Sequence, residues 1–202
     1  MGRTGAVGVF AAAVIVFAAS AVAQQVPKAT PAGVPETVAA PVPEAVVETP
    51  KGSFAIRLFP DVAPKHVKHF VKTAKAGGYD GTTFHRVVMG GIIQGGDPLS
   101  KDPDKASQYG TGGLGLLKAE FSDKPFVRGT VAAVRQPSSV DSAGTQFFVC
   151  LQPQPALEGQ YTVFGEVVSG MEVVDQISLT PVDGDKATER VEMTVTIQWP
   201  ER

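Results

Sequence analysis

In the stretch TFHRVVMGGIIQGGDP, residues 83–98, a single arginine, Arg86, sits in a short apolar run followed by four glycines and one glutamine, Gln94. The pair has no obvious acid, base, nucleophile or metal ligand beside it. A guanidinium stays protonated at physiological pH, so it suits chemistry that needs a fixed hydrogen-bond donor and no proton transfer. Alternation along 84–88 predicts Phe84, Arg86 and Val88 on one face of a strand, with His85 and Val87 on the other. An arginine snorkelling at a barrel rim is the competing reading.

Other constellations carry less. Gly90 and Gly95 have the first spacing of a phosphate-cradling loop, but Gly96-Asp97 stands where Lys-Ser/Thr is needed, and an aspartate repels phosphate. His66 and His69 lack a recognisable third ligand and are expected on a helix surface. Asp97, Asp102 and Asp104 lack calcium-loop spacing and read as a solvated loop. Ser138, Ser139 and Ser142 have no nucleophile elbow around them. Cys150, the one cysteine, lies in an apolar strand and reads as an inert buried thiol. With a single cysteine, no internal disulfide and no Cys/His zinc set is possible. No metal and no cofactor is expected.

The chain has 202 residues, a formal net charge of −2 and 43% hydrophobic residues, which suits one globular domain with an extension. A near-neutral balance gives no footprint for nucleic acid. Arg3, an apolar run over 6–19 and Ala21-Val22-Ala23 form a secretory signal layout, predicting residues 1–23 as a signal peptide. The run is shorter than the roughly 20 residues of a spanning helix. The expected location is therefore exported, periplasmic or extracytoplasmic, with an uncleaved N-terminal anchor as the alternative. Residues 24–43, rich in Pro, Ala and Val, read as a disordered linker, and residues 44–202 as the folded domain.

The elements that must position Arg86 follow from periodicity. VVETPKGSFAIRLF predicts a hairpin turning at Pro50-Lys51-Gly52, with Phe54, Ile56 and Leu58 on one face. A helix opening at 61–64 and stopping at Gly77-Gly78 buries Val67, Phe70, Val71 and Ala74, leaving His66, Lys68, Lys72 and Lys75 mostly on the wet side. Further strands are predicted over 84–88, 130–134, 146–151, 162–168 and 191–199, and a second helix over 171–177. Many short strands with one early and one late helix predict a closed antiparallel barrel capped at its ends.

Six segments, YDGTTFHRV (79–87), IQGGDP (93–98), GTGG (110–113), GTQFFVC (144–150), LEGQYTVFGEV (157–167) and GMEVVDQI (170–177), resemble in order the cyclophilin family of peptidyl-prolyl cis-trans isomerases. The resemblance spans 46–199 and implies a mainly β fold, a closed eight-stranded antiparallel barrel capped by two α-helices. It implies an isomerase, or rotamase, acting on proline-containing polypeptides. Arg86 would be the catalytic donor, with Gln94 orienting it and the substrate carbonyl. Phe148 and Leu157 would line the proline pocket with Ile92 and Tyr161, Gln146 would lie beside the peptide backbone, and Val134 and Arg135 would offer backbone contacts. Gly91 and Ile92 stand where phenylalanine and methionine are usual, and Ala156 where cyclosporin-sensitive members have tryptophan. A wider pocket with weak or no cyclosporin binding is expected, in a monomer that assists folding of exported proteins. The alternative is a non-catalytic peptide-binding or chaperone module with a degenerate pocket.

Overall fold

The computed structural model describes residues 42–199 and Gly2. The predicted signal peptide and most of the linker lie outside the described residues. Among the described residues ten strands form one sheet: β1 (Glu44–Thr49), β2 (Gly52–Leu58), β3 (Thr82–Val88), β4 (Ile92–Gly95), β5 (Thr130–Ala133), β6 (Phe147–Cys150), β7 (Val163–Ser169), β8 (Val182–Asp183), β9 (Lys186–Ala187) and β10 (Glu192–Gln198). Their order is β10-β1-β2-β7-β5-β6-β4-β3-β9-β8, and a β10–β3 pairing closes the first eight into an antiparallel barrel. The two-residue strands β8 and β9 form a flap outside the closure, joined to β3 by the pair Arg86↔Lys186.

Two helices, α1 (Pro64–Lys75) and α2 (Met171–Ser178), accompany the barrel, as the pattern predicts. Three short 3-10 turns, two of them over 98–108, had no periodic signal. The strand β4 was also not predicted, because its glycines break the apolar alternation that marks a strand.

Alternation sorts side chains into two clusters. Val131, Ala133, Phe147 and Val149 point into the barrel, where they meet Phe54, Ile56, Phe84 and Val195. Their neighbours Ala132, Phe148 and Cys150 point outward into a smaller cluster with Phe126 and Val163. The Cys150 thiol is fully buried, and burial pushes it up to about 12, as an inert core thiol requires.

The first helix departs from expectation at its start. Pro64 occupies the first turn, yet Ala63 offers no side-chain cap. Glu120, far along the chain, caps it instead, accepting from the Lys65 amide at 3.1 Å and the His66 amide at 3.0 Å. The same carboxylate lies 2.6 Å from His66 Nδ1. His66 is therefore 3% exposed, not a surface histidine, because its partner lies on a segment that helical periodicity cannot see.

Burial pushes the Glu120 carboxyl up, but hydrogen bonds from the His66 ring and the two amides outweigh it and leave it below its ordinary value of 4.5. A depressed folded-state value means that the contribution is fully present above about 4.5 and is lost as pH falls through the lowered value. Glu120→Gln is expected to cost about 1 kcal/mol at neutral pH, as loss of a helix cap does. It should also flatten the wild-type acid limb of melting temperature against pH, and an unchanged acid limb would show that Glu120 does not set it.

Candidate active site

A β-bulge positions Arg86. In the β3–β4 pairing Phe84 faces Gly95 and Arg86 faces Gln94, so His85 is the extra residue. Strict alternation fails here: Phe84 and Val87 both enter the barrel core, while Arg86 and Val88 line an outer cavity. An extra residue re-aims the side chains after it, which a period-two reading cannot anticipate.

From Arg86 a chain of polar groups runs inward. Arg86 donates through Nη1 to Gln94 Oε1 at 3.2 Å, and Gln94 Nε2 donates to Gln146 Oε1 at 3.0 Å. Gln146 Nε2 donates to the Gly112 carbonyl at 2.7 Å. Asp97, expected in a solvated loop, is 0% exposed. Its carboxylate accepts from the amides of Leu99, Gly110 and Gly112, pinning the glycine loop against the site. A Cβ at Gly112 would collide with that carboxylate, so the loop needs glycine there.

The cavity is about 600 Å³. Of the nine predicted site residues, Arg86, Gln94, Ile92, Phe148, Leu157, Val134, Arg135 and Tyr161 all line it. Gln146 does not: it is 1% exposed and stands behind Gln94. The Val134 amide is already engaged, donating to the Gln146 carbonyl at 3.0 Å. Phe148 forms the apolar wall, edge-on to Tyr161 at 5.5 Å and stacked on Phe126 at 6.3 Å. Arg135 lies over the Tyr161 ring at 4.7 Å and donates to the carbonyls of Gln160 and Gln136, so it braces that wall.

The sequence reading missed several lining residues, namely Val88, Tyr109, Gly110, Thr111, Pro137 and Gln154. The resemblance named GTGG without a role for it, and that motif was the available signal for Gly110 and Thr111. Among the described residues no group of His, Cys, Asp and Glu could hold a metal ion. A larger groove, about 940 Å³, crosses α1 beside Val67, Val71 and Trp199, but brings together no donor set of this kind.

Gly91 lies on the cavity wall, and a Cβ there would meet Val88 Cγ1 at 3.1 Å, a contact that a small shift relieves. Gly91→Phe is expected to lower KM for a short Xaa-Pro peptide about three- to tenfold by restoring an aromatic wall. Steady-state kinetics would check it, and an unchanged or higher KM would sink the idea that the missing wall weakens binding.

Comparisons with known proteins bear on what such a cavity does. The family model described as "Cyclophilin type peptidyl-prolyl cis-trans isomerase/CLD" matches residues 45–198. A "Probable peptidyl-prolyl cis-trans isomerase" of Brucella suis biovar 1 (strain 1330) is 46% identical over 137 residues, covering 65% of this chain and 69% of the relative. A "Peptidyl-prolyl cis-trans isomerase" of Synechococcus elongatus is 40% identical over 123 residues, covering 60% of this chain and 78% of the relative. The crystal structure of a cyclophilin-type isomerase of Cryptosporidium parvum, solved in the presence of the dipeptide Ala-Pro, superposes with a TM-score of 0.68 at 26% identity. That match covers 79% of this chain and 99% of the other.

Proposed function

The chain belongs to the family of cyclophilin-type peptidyl-prolyl cis-trans isomerases, so its reaction is rotation about Xaa-Pro bonds, and we propose that Arg86 supplies the donor for it. Conjugation of the nitrogen lone pair with the carbonyl sets a barrier of roughly 18 to 20 kcal/mol. Twisting the bond breaks that conjugation and makes the nitrogen a better acceptor. A donor that is already charged and already oriented favours the twisted amide over the planar one, without making or cutting a covalent bond. Arg86 stands at the edge of an apolar cavity whose wall, Phe148 with Leu157 and Ile92, suits a proline ring. Gln94 holds the guanidinium from one side. This single observation, a fixed guanidinium beside an apolar pocket, carries the assignment of roles.

The test is exchange spectroscopy by NMR on an Ala-Pro peptide with the full chain. Catalysed cis/trans exchange supports the reading. Its absence from a folded chain favours the second reading, a peptide-binding module, for which the glycine at 91 and the exposed Ala156 speak.

The proposal extends to cell location and clients. The apolar run over 6–19 and Ala21-Val22-Ala23 support export, with unfolded exported proteins as substrates. Cell fractionation with N-terminal sequencing tests it, and a chain found intact in the cytoplasm would refute it. The alanine at 156 supports weak or no cyclosporin binding, and the proposed form is a monomer.

A further inference from the structure

The flap formed by β8 and β9 lies outside the barrel closure, anchored to the core through Val182. Its turn, Gly184-Asp185, nevertheless reaches the site. The Asp185 carbonyl accepts from the Val87 amide at 2.8 Å, which fixes the turn against β3. Its carboxylate Oδ2 then accepts from Arg86 Nε at 2.6 Å. Among the described residues it is the one acid paired with Arg86.

We propose that Asp185 is a positioning residue for the isomerisation, gripping one edge of the Arg86 guanidinium while Gln94 grips another, so that the remaining edge is aimed into the cavity. The inference rests on the reading of Arg86 as the donor. A guanidinium has five N–H donors in one plane. With Nε committed to Asp185 and Nη1 sharing a bond with Gln94, the plane cannot turn about the side-chain axis, and Nη2 keeps a set direction. A donor ordered before the substrate arrives loses no orientation in the transition state.

The Asp185 carboxylate also offsets the charge of the donor, which opposes the positioning effect. The side chains of Arg86 and Asp185 are 40% and 46% exposed, so water screens that offset. Solvent does not undo the geometry of a charge-assisted bond at this distance. Positioning should therefore win, and because the pair is screened by water its removal should leave stability almost untouched.

The experiment compares the full chain with Asp185→Asn, Asp185→Glu, Arg86→Ala and the double variant Arg86→Ala/Asp185→Asn, using exchange and steady-state kinetics on an Ala-Pro peptide. Asp185→Asn should lower kcat roughly tenfold with KM within about twofold and an unchanged melting temperature, since the interaction acts in the transition state. Asp185→Glu should recover part of that loss. The Arg86 Nε–H resonance should move upfield in Asp185→Asn, and the double variant should be no slower than Arg86→Ala alone. If Arg86→Ala is inactive while Asp185→Asn turns over at the wild-type rate or faster, or loses only KM, the positioning role is overturned and the donor reading stands. Full activity in a folded Arg86→Ala chain would overturn the donor reading, and the positioning role with it.

Discussion

Replacing Arg86 by alanine is expected to lower kcat for an Ala-Pro peptide by about two to three orders of magnitude, the usual cost of one pre-aligned donor at a site of developing charge. Folding should survive. The Arg86 side chain is 40% exposed, its partners are a half-buried aspartate and Gln94, and the barrel core beneath it is built from Phe84 and Val87. The melting temperature should therefore shift by no more than about 2 °C, as a surface change does. KM should change far less than kcat, because Phe148, Leu157 and Ile92 still offer their apolar wall. Exchange spectroscopy and thermal melts read both quantities on one sample. Wild-type turnover from a folded variant would remove Arg86 from the reaction.

The opposite signature is expected at the adjacent pair Phe147 and Phe148. Phe147 is fully buried and packs edge-on against Phe70, Tyr79 and Phe84, with ring centroids at 5.8, 6.0 and 6.0 Å. It connects the helix α1 to the barrel interior. Phe147→Ala should cost about 3 to 5 kcal/mol through lost transfer energy and the cavity left behind. Set against total stabilities of about 5 to 15 kcal/mol, that change brings the domain near its unfolding threshold. Urea titration followed by the single tryptophan, Trp199, or by circular dichroism would measure it. A loss below about 1.5 kcal/mol would contradict the packing described for this ring. Phe148→Ala, one residue on and facing the outer cluster, should raise KM by removing the cavity wall, besides the stability lost by truncating a ring that is 3% exposed.

Much of this was legible in the sequence, and the exceptions share a cause. The hairpin β1–β2, both helices and most barrel strands announce themselves through local period, because each presents one apolar face. Motif order placed eight of the nine predicted residues on the cavity wall. What escaped depends on partners distant in sequence. His66 is buried because of Glu120, Asp97 because it collects three loop amides, and Gln146 because Gln94 stands in front of it. The bulge at His85 is invisible to alternation, since a strand with one extra residue has the same composition as one without. Asp185 lies in a turn whose Gly-Asp pair predicts only a turn, so the bond to Arg86 appears only when the flap is folded onto β3.

The closure of the barrel has a consequence for how the chain comes into being. β1 begins the domain and β10 ends it, yet they lie side by side, with Glu44 opposite Gln198, and β10 also seals the gap to β3. Synthesis proceeds from the N-terminus, so until β10 has been made the sheet stays open, with the edge of β1 and the Thr82–Thr83 end of β3 unpaired. Pairing across that sequence separation is slow because loop closure must precede any reward from contacts. A domain lacking β10 therefore keeps open sheet edges that other strands can pair with, and the barrel commits to its compact state only once β10 is in place.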